Sequence, residues 1–285
     1  MRQSRIAACT SALLFAAACT VAGPTAGPTA GPTTARAAPH TAATDYVALG
    51  DSYSAGVGAG DYLSSSAGCQ RSGRSYAALW TAAHAPSSFS FTACNSARTS
   101  DVMALQLGPL TPRTDLVSIT VGGSDAGFGT VMTTCVLRGT TTCLSALADA
   151  RATMDGPLPG NLDRLYSAIT RRAPAAHVVV LGYPHLYQLH GTCRAGFPDT
   201  VRSALNDAVD HLNRVIAKRA ADHGFTFADV RTAFTGHEIC SPDPWLRSIH
   251  FLAPTESYHP TASGQSLGYL PVLAAVARGT TQEGR

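Results

Sequence analysis

Lysine is almost missing from this 285-residue chain: Lys218 is the single one, and the remaining basic side chains are arginines spread along the sequence. Net charge is +3, from 21 basic and 18 acidic residues. A polyanion is held by massed Lys and Arg, so without a basic run a nucleic-acid partner is excluded. Charged residues reach only 14% against 45% hydrophobic. That balance excludes wholesale disorder, because enough apolar surface is available to offset the entropy of ordering the chain. No uninterrupted apolar stretch reaches the roughly 18 residues that a helical span needs. A multi-spanning helical membrane protein is therefore excluded, and at most peripheral membrane contact is expected.

The residues that are present begin with a leader. Arg2 and Arg5 supply a positive start, and residues 6–18 an apolar stretch too short to span a bilayer, which is the pattern of an export signal. Ala35-Arg36-Ala37 offers a signal-peptidase site and a mature start near Ala38. Ala16-Ala17-Ala18-Cys19 instead resembles a bacterial lipobox, with alanine where leucine is usual, and would make Cys19 a lipidated terminus. Residues 23–34 repeat Gly-Pro-Thr; proline removes donors and glycine raises chain entropy, so this stretch reads as a solvated tether. Residues 1–43 are thus expected to be export signal and linker, and 44–280 one folded domain. The protein is expected to be secreted, with an extracellular lipoprotein anchored at Cys19 as the alternative.

Six cysteines remain beyond the leader: Cys69, Cys94, Cys135, Cys143, Cys193 and Cys240. An even number in an exported chain points to disulfides. Six thiols allow fifteen pairings, among which sequence does not choose. Order along the chain suggests Cys69–Cys94, Cys135–Cys143 and Cys193–Cys240. The last two cysteines have a rival reading, since His190-Gly-Thr-Cys193 and His237-Glu-Ile-Cys240 are both His-x-x-Cys and could assemble a zinc site. Oxidised pairing is the expectation, with no metal.

From Thr44 onward, short β-rich runs alternate with helical stretches. Tyr46-Val47-Ala48-Leu49 reads as a buried strand ended by Gly50; 89–92, 115–121, 177–181 and 225–228 read as further strands. Helices are expected over 75–84, 160–172, 199–223 and 262–277. In the third of these Val201, Leu205, Val209, Leu212 and Ile216 recur at three and four. Residues 128–145, rich in Thr and Cys, read as an irregular insertion. Strand–helix alternation implies parallel strands with crossover helices on both faces, and ligands beyond the carboxyl ends of the strands.

The residues at those carboxyl ends are therefore informative. Gly50-Asp51-Ser52 succeeds the first strand, and there Asp51 or Ser52 serves either as a helix cap or in chemistry. Val121-Gly122-Gly123-Ser124-Asp125 closes the third, and Ser257-Tyr258-His259-Pro260 precedes the last helix. Serine is a poor nucleophile unless an imidazole lies within hydrogen-bond reach. Gly50-Asp51-Ser52, the Gly-Gly-Ser-Asp block and His259-Pro260, in this order, resemble the SGNH (GDSL) hydrolase family, in its branch of secreted bacterial lipases, esterases and phospholipases A1. The resemblance spans residues 45–278. It implies a flavodoxin-like three-layer α/β/α sandwich around a mostly parallel five-stranded sheet, with three disulfides joining near neighbours.

Carried over residue by residue, the resemblance makes Ser52 the nucleophile and His259 the general base. The family's oxyanion glycine and asparagine fall on Ser96 and Ser124. Both depart from the pattern: Ser96 still offers a main-chain N–H, Ser124 a hydroxyl in place of an amide, and Asn95 an amide nearby. The family acid, three residues before the histidine, falls on Glu256; the main-chain carbonyl of Ser257 is the alternative. Asp51 and Asp125 are assigned to loop and cap hydrogen bonds. The implied activity is hydrolysis of carboxylic esters, small or lipid, through an acyl-enzyme, by a monomer without cofactor. Phe128 and Trp245 are candidates for an acyl-binding wall or for ordinary core. The rival readings are a carbohydrate acetyl esterase with a shallow polar site and a non-catalytic ligand-binding scaffold.

Overall fold

The strand read from Tyr46-Val47-Ala48-Leu49 is β1 (Asp45–Gly50), flanked in register by β2 (Ser88–Phe91) and β3 (Leu116–Thr120). Tyr46 pairs with Phe89 on one side and Leu116 on the other. The computed structural model describes residues 44–193 and 196–277. The leader, the Gly-Pro-Thr repeat, the motif at 35–37, Cys19 and residues 278–280 lie outside the described residues. β4 (His177–Leu181) and β5 (Thr226–Ala228) complete a sheet of order β2-β1-β3-β4-β5, parallel throughout. The runs Leu-Val-Ser-Ile-Thr and Val-Val-Val-Leu are buried end to end because helices cover both faces.

One face carries α2 (Tyr76–His84) and the closing α7 (Leu270–Ala277). The other carries α3 (Thr99–Leu105), α4 (Phe128–Asp155), α5 (Pro157–Arg172) and α6 (Asp199–Asp222), packed against one another. The arrangement is the expected α/β/α sandwich. In α6 the five apolar residues at spacing three and four are all buried.

Residues 128–145 correct the sequence reading: they are helical, in two segments of α4 joined at Gly139 (φ 74°, ψ 175°). Their abundant threonines point outward and masked the period. Val131 and Cys135 before the break, then Cys143, Leu147, Ala150 and Met154 after it, are the buried stripe. Cys135–Cys143 bridges the break. Cys69–Cys94 and Cys193–Cys240 are also bonded, so the three pairs follow chain order. The zinc alternative fails here: His190 faces Asp199, His237 stacks on Trp245, and no cluster of three metal-ligating side chains occurs among the described residues. α3 was not anticipated.

The closing helix starts with a wide π turn, Gly264–Tyr269. It turns the fully buried Gln265 toward the opposite end of the chain. The amide accepts from Tyr76 N–H (2.8 Å) and donates to the Tyr53 carbonyl (3.1 Å). In this way the C-terminal helix is fastened beside the segment after β1.

Candidate active site

β1 ends at Gly50, whose φ of 121° is open only to glycine and where a Cβ would collide with the Thr120 carbonyl. The chain therefore turns sharply into the four-residue helix α1 (Ser52–Ala55), with Asp51 as its cap accepting from Tyr53 N–H (3.0 Å). Ser52 opens that helix, nearly buried. From the other end of the sequence, His259 brings Nε2 to 2.7 Å from Ser52 Oγ, across 207 residues. Gly58 permits this approach, since a Cβ there would stand 2.9 Å from the His259 Cβ.

The tautomer of His259 is set by its other nitrogen. Nδ1 lies 3.0 Å from the Ser257 carbonyl, which can only accept, so Nδ1 carries the proton and Nε2 is free to accept from Ser52. Burial holds the imidazole down at about 4, against smaller upward effects of the Ser257 carbonyl and the Glu256 charge. The ring is thus a neutral base at neutral pH. Tyr258, between carbonyl and imidazole, is held at φ 66°, an unfavourable region for a bulky residue. Its N–H donates to Arg247 O (2.9 Å), and its carbonyl accepts from the Tyr53 hydroxyl (2.7 Å), which over-determine the turn.

The Glu256 carboxylate contacts groups other than the His259 ring. The residue closes the 3-10 turn Pro254–Glu256, and its carboxylate accepts from the Tyr62 hydroxyl (2.7 Å) and faces Arg247 Nε at 3.4 Å. Arg247 Nε also donates to the Gly58 carbonyl (2.5 Å). The carboxylate anchors the histidine loop to residues 58–62, while the imidazole is oriented by the Ser257 carbonyl.

Ser96 and Ser124 line the same cleft as Ser52 and His259. Ser96 sits at φ 61°, which explains why the family pattern has glycine there. The N–H groups of Ser52 and Ser96 and the Ser124 hydroxyl donate to no described group. The Asn95 amide gives one of its two N–H donors to Gln70 Oε1 (2.7 Å).

Sequence reasoning missed a link beneath the site. Asp51 is fully buried; burial pushes its carboxyl up to about 6, while the Tyr183 and Thr120 hydroxyls and Tyr53 N–H restrain the rise. The Tyr183 hydroxyl donates to Asp51 and accepts from Gly123 N–H (3.1 Å), so it joins the turn before Ser52 to the turn before Ser124. Gly182-Tyr183-Pro184 was legible only as a strand end. Asp125 has the loop role expected of it, accepting from Thr99 N–H (3.0 Å) and Oγ1 (2.5 Å).

Behind Ser52 and Ser124 an apolar cavity runs between α4 and α6, walled by Phe128, Val131, Leu147, Met154, Leu205, Val209 and Leu212. Trp245 packs on His237 and Phe234, outside this cavity and the cleft.

Comparison with known proteins agrees with this layout. Residues 48–267 match the GDSL-like Lipase/Acylhydrolase family. Lipase 1 of Streptomyces coelicolor is 57% identical over 277 residues, 97% of this chain and 100% of that protein. The crystal structure of an extracellular lipase from Streptomyces rimosus superposes with a TM-score of 0.80 at 59% identity, covering 82% of this chain and 99% of that one. That of a phospholipase A1 from Streptomyces albidoflavus also gives 0.80, at 56% identity and the same coverage. A buried serine–histidine pair at the carboxyl edge of a parallel sheet, in a chain matched over most of its length, has one consequence: the chain belongs to the GDSL-like lipase/acylhydrolase family.

Proposed function

We propose that this carboxylic ester hydrolase is exported and cleaves acyl esters of lipids, with Ser52 and His259 as its catalytic pair. In the first half-reaction His259 Nε2 takes the Ser52 proton as Oγ attacks the ester carbonyl. The Ser52 and Ser96 N–H groups and the Ser124 hydroxyl stabilise the oxyanion. The imidazolium, steadied by the Ser257 carbonyl, gives its proton to the departing alcohol. Water, deprotonated by the same nitrogen, then releases the acid and restores Ser52.

The observation that carries the proposal is the 2.7 Å contact between Nε2 and Oγ. The apolar cavity behind Ser52 favours a long acyl chain over acetyl, because each methylene moved there from water contributes about 0.8 kcal/mol. Relatives named lipase and phospholipase A1, one of them described as extracellular, fit a lipid substrate and export. Cleavage near Ala38 is the processing proposed for residues 1–43.

The test is a fluorophosphonate probe with peptide mass spectrometry to locate the label, alongside p-nitrophenyl acetate and octanoate as substrates. Label on Ser52, none in Ser52→Ala, and higher kcat/KM for octanoate are expected. Absence of both labelling and hydrolysis would leave a ligand-binding scaffold, and strong preference for acetyl would favour the acetyl esterase.

A further inference from the structure

Among the described residues, three of the four most exposed large apolar side chains gather at one opening. Phe251 (81% exposed) and Leu137 (71%) line the mouth of the Ser52–His259 cleft, and Leu252 (94%) is next to Phe251 in the chain. Scattered apolar residues on a surface are ordinary, but a concentration around one opening marks an interaction surface. The two segments come from distant parts of the sequence, the start of α4 and the loop before His259.

Charge on these segments is equally selective. Residues 126–148 carry one ionic side chain, Arg138, and residues 248–255 carry none apart from the titratable His250. Glu256, next in the chain, is turned inward to Tyr62 and Arg247. The rim therefore presents apolar side chains and a cation, with no carboxylate of its own to repel phosphate groups.

We propose that this rim seats the protein on the surface of aggregated phospholipid, with Phe251, Leu252 and Leu137 entering the headgroup layer. The occupant is chosen by continuity: the rim opens into the cleft, and the cleft adjoins the apolar cavity behind Ser52. An acyl chain moving from the layer to the serine passes the apolar side chains Leu137, Val136, Met132 and Phe128 on the cleft wall. This inference rests on the lipid-ester reading for its meaning, but the binding can be measured separately.

The experiment uses Ser52→Ala protein, so that the vesicles stay intact, and sedimentation with sucrose-loaded phosphatidylcholine vesicles. Adding Phe251→Ser and Leu252→Ser should lower the partition coefficient at least about ten-fold, given what two apolar side chains contribute on burial. Leu105→Ser, at a residue 79% exposed but outside the cleft, should leave it unchanged. In active enzyme, Leu252→Ser should slow vesicle hydrolysis while kcat/KM for soluble p-nitrophenyl acetate holds. The proposal is overturned if Ser52→Ala protein does not sediment, or if the rim and Leu105 variants behave alike. A dimer that buries the rim, seen by light scattering, overturns it too. Vesicle binding by a wild-type protein that hydrolyses no ester would keep the surface and sink the esterase.

Discussion

Replacing Glu256 by glutamine separates two ways of orienting His259. Glutamine keeps an acceptor for the Tyr62 hydroxyl and loses the charge that faces Arg247 at 3.4 Å and His250 at 3.7 Å. Arg247 is about a third exposed, so the lost pairing is worth about 1 kcal/mol after solvent screening. In a domain of this size that lowers Tm by roughly 2–4 °C. The Nδ1 contact with the Ser257 carbonyl is untouched, so kcat on a soluble ester should stay within about three-fold of wild type. Were the carboxylate the orienting group, its amide would cost about 10⁴ in kcat, or roughly 5.5 kcal/mol of barrier. The Glu256 charge also raises the His259 pKa, so removing it should move the acid limb of kcat/KM to lower pH. Stopped assays with p-nitrophenyl butyrate, with circular dichroism to verify folding, read both effects. A loss of about a thousand-fold or more in a folded protein would refute the carbonyl assignment.

The buried imidazole makes a second prediction: the acid limb assigned to His259 should lie near pH 4, with activity persisting at pH 5, and half-maximal activity at 6.5 would contradict it. Tyr183→Phe should destabilise the fold by about 1–3 kcal/mol through the lost donor to Asp51. That hydrogen bond favours the ionised carboxylate, so the loss, measured by urea unfolding, should be larger at pH 8 than at pH 5, where Asp51 is protonated. An equal loss at both values would show that the hydroxyl does not act on the charge. Opening the Cys193–Cys240 bridge as a double serine variant releases a 47-residue loop and should cost about 4 kcal/mol by chain-entropy reckoning. Chelator treatment of the wild type should change neither Tm nor activity, and a shift in either would revive the zinc alternative.

How much was legible beforehand differs by the range of the interaction involved. Buried β runs at 46–49 and 177–181 and the period in 199–223 announce themselves, since burial of a strand or one helix face is written in neighbouring residues. The cysteine pairs follow the suggested chain order, but with fifteen pairings open to six thiols only their proximity in the fold selects them. α4 was hidden because its seven threonines equal its seven buried residues in number and Gly139 interrupts it. Ser52 and His259 were legible as motif residues. Their contact was not, because 207 residues of folding bring them together.

Spacing also left the third partner open. Glu256 and Ser257 are adjacent, and which one faces the ring depends on a 3-10 turn, on Tyr258 at φ 66°, and on Tyr62 and Arg247 drawing the carboxylate away. The chemistry of the pair is likewise a property of the assembled molecule. Local sequence sets which groups are available, but pKa and cavity shape depend on how far water is excluded, and here walls from α4, α6 and the C-terminal loop exclude it together.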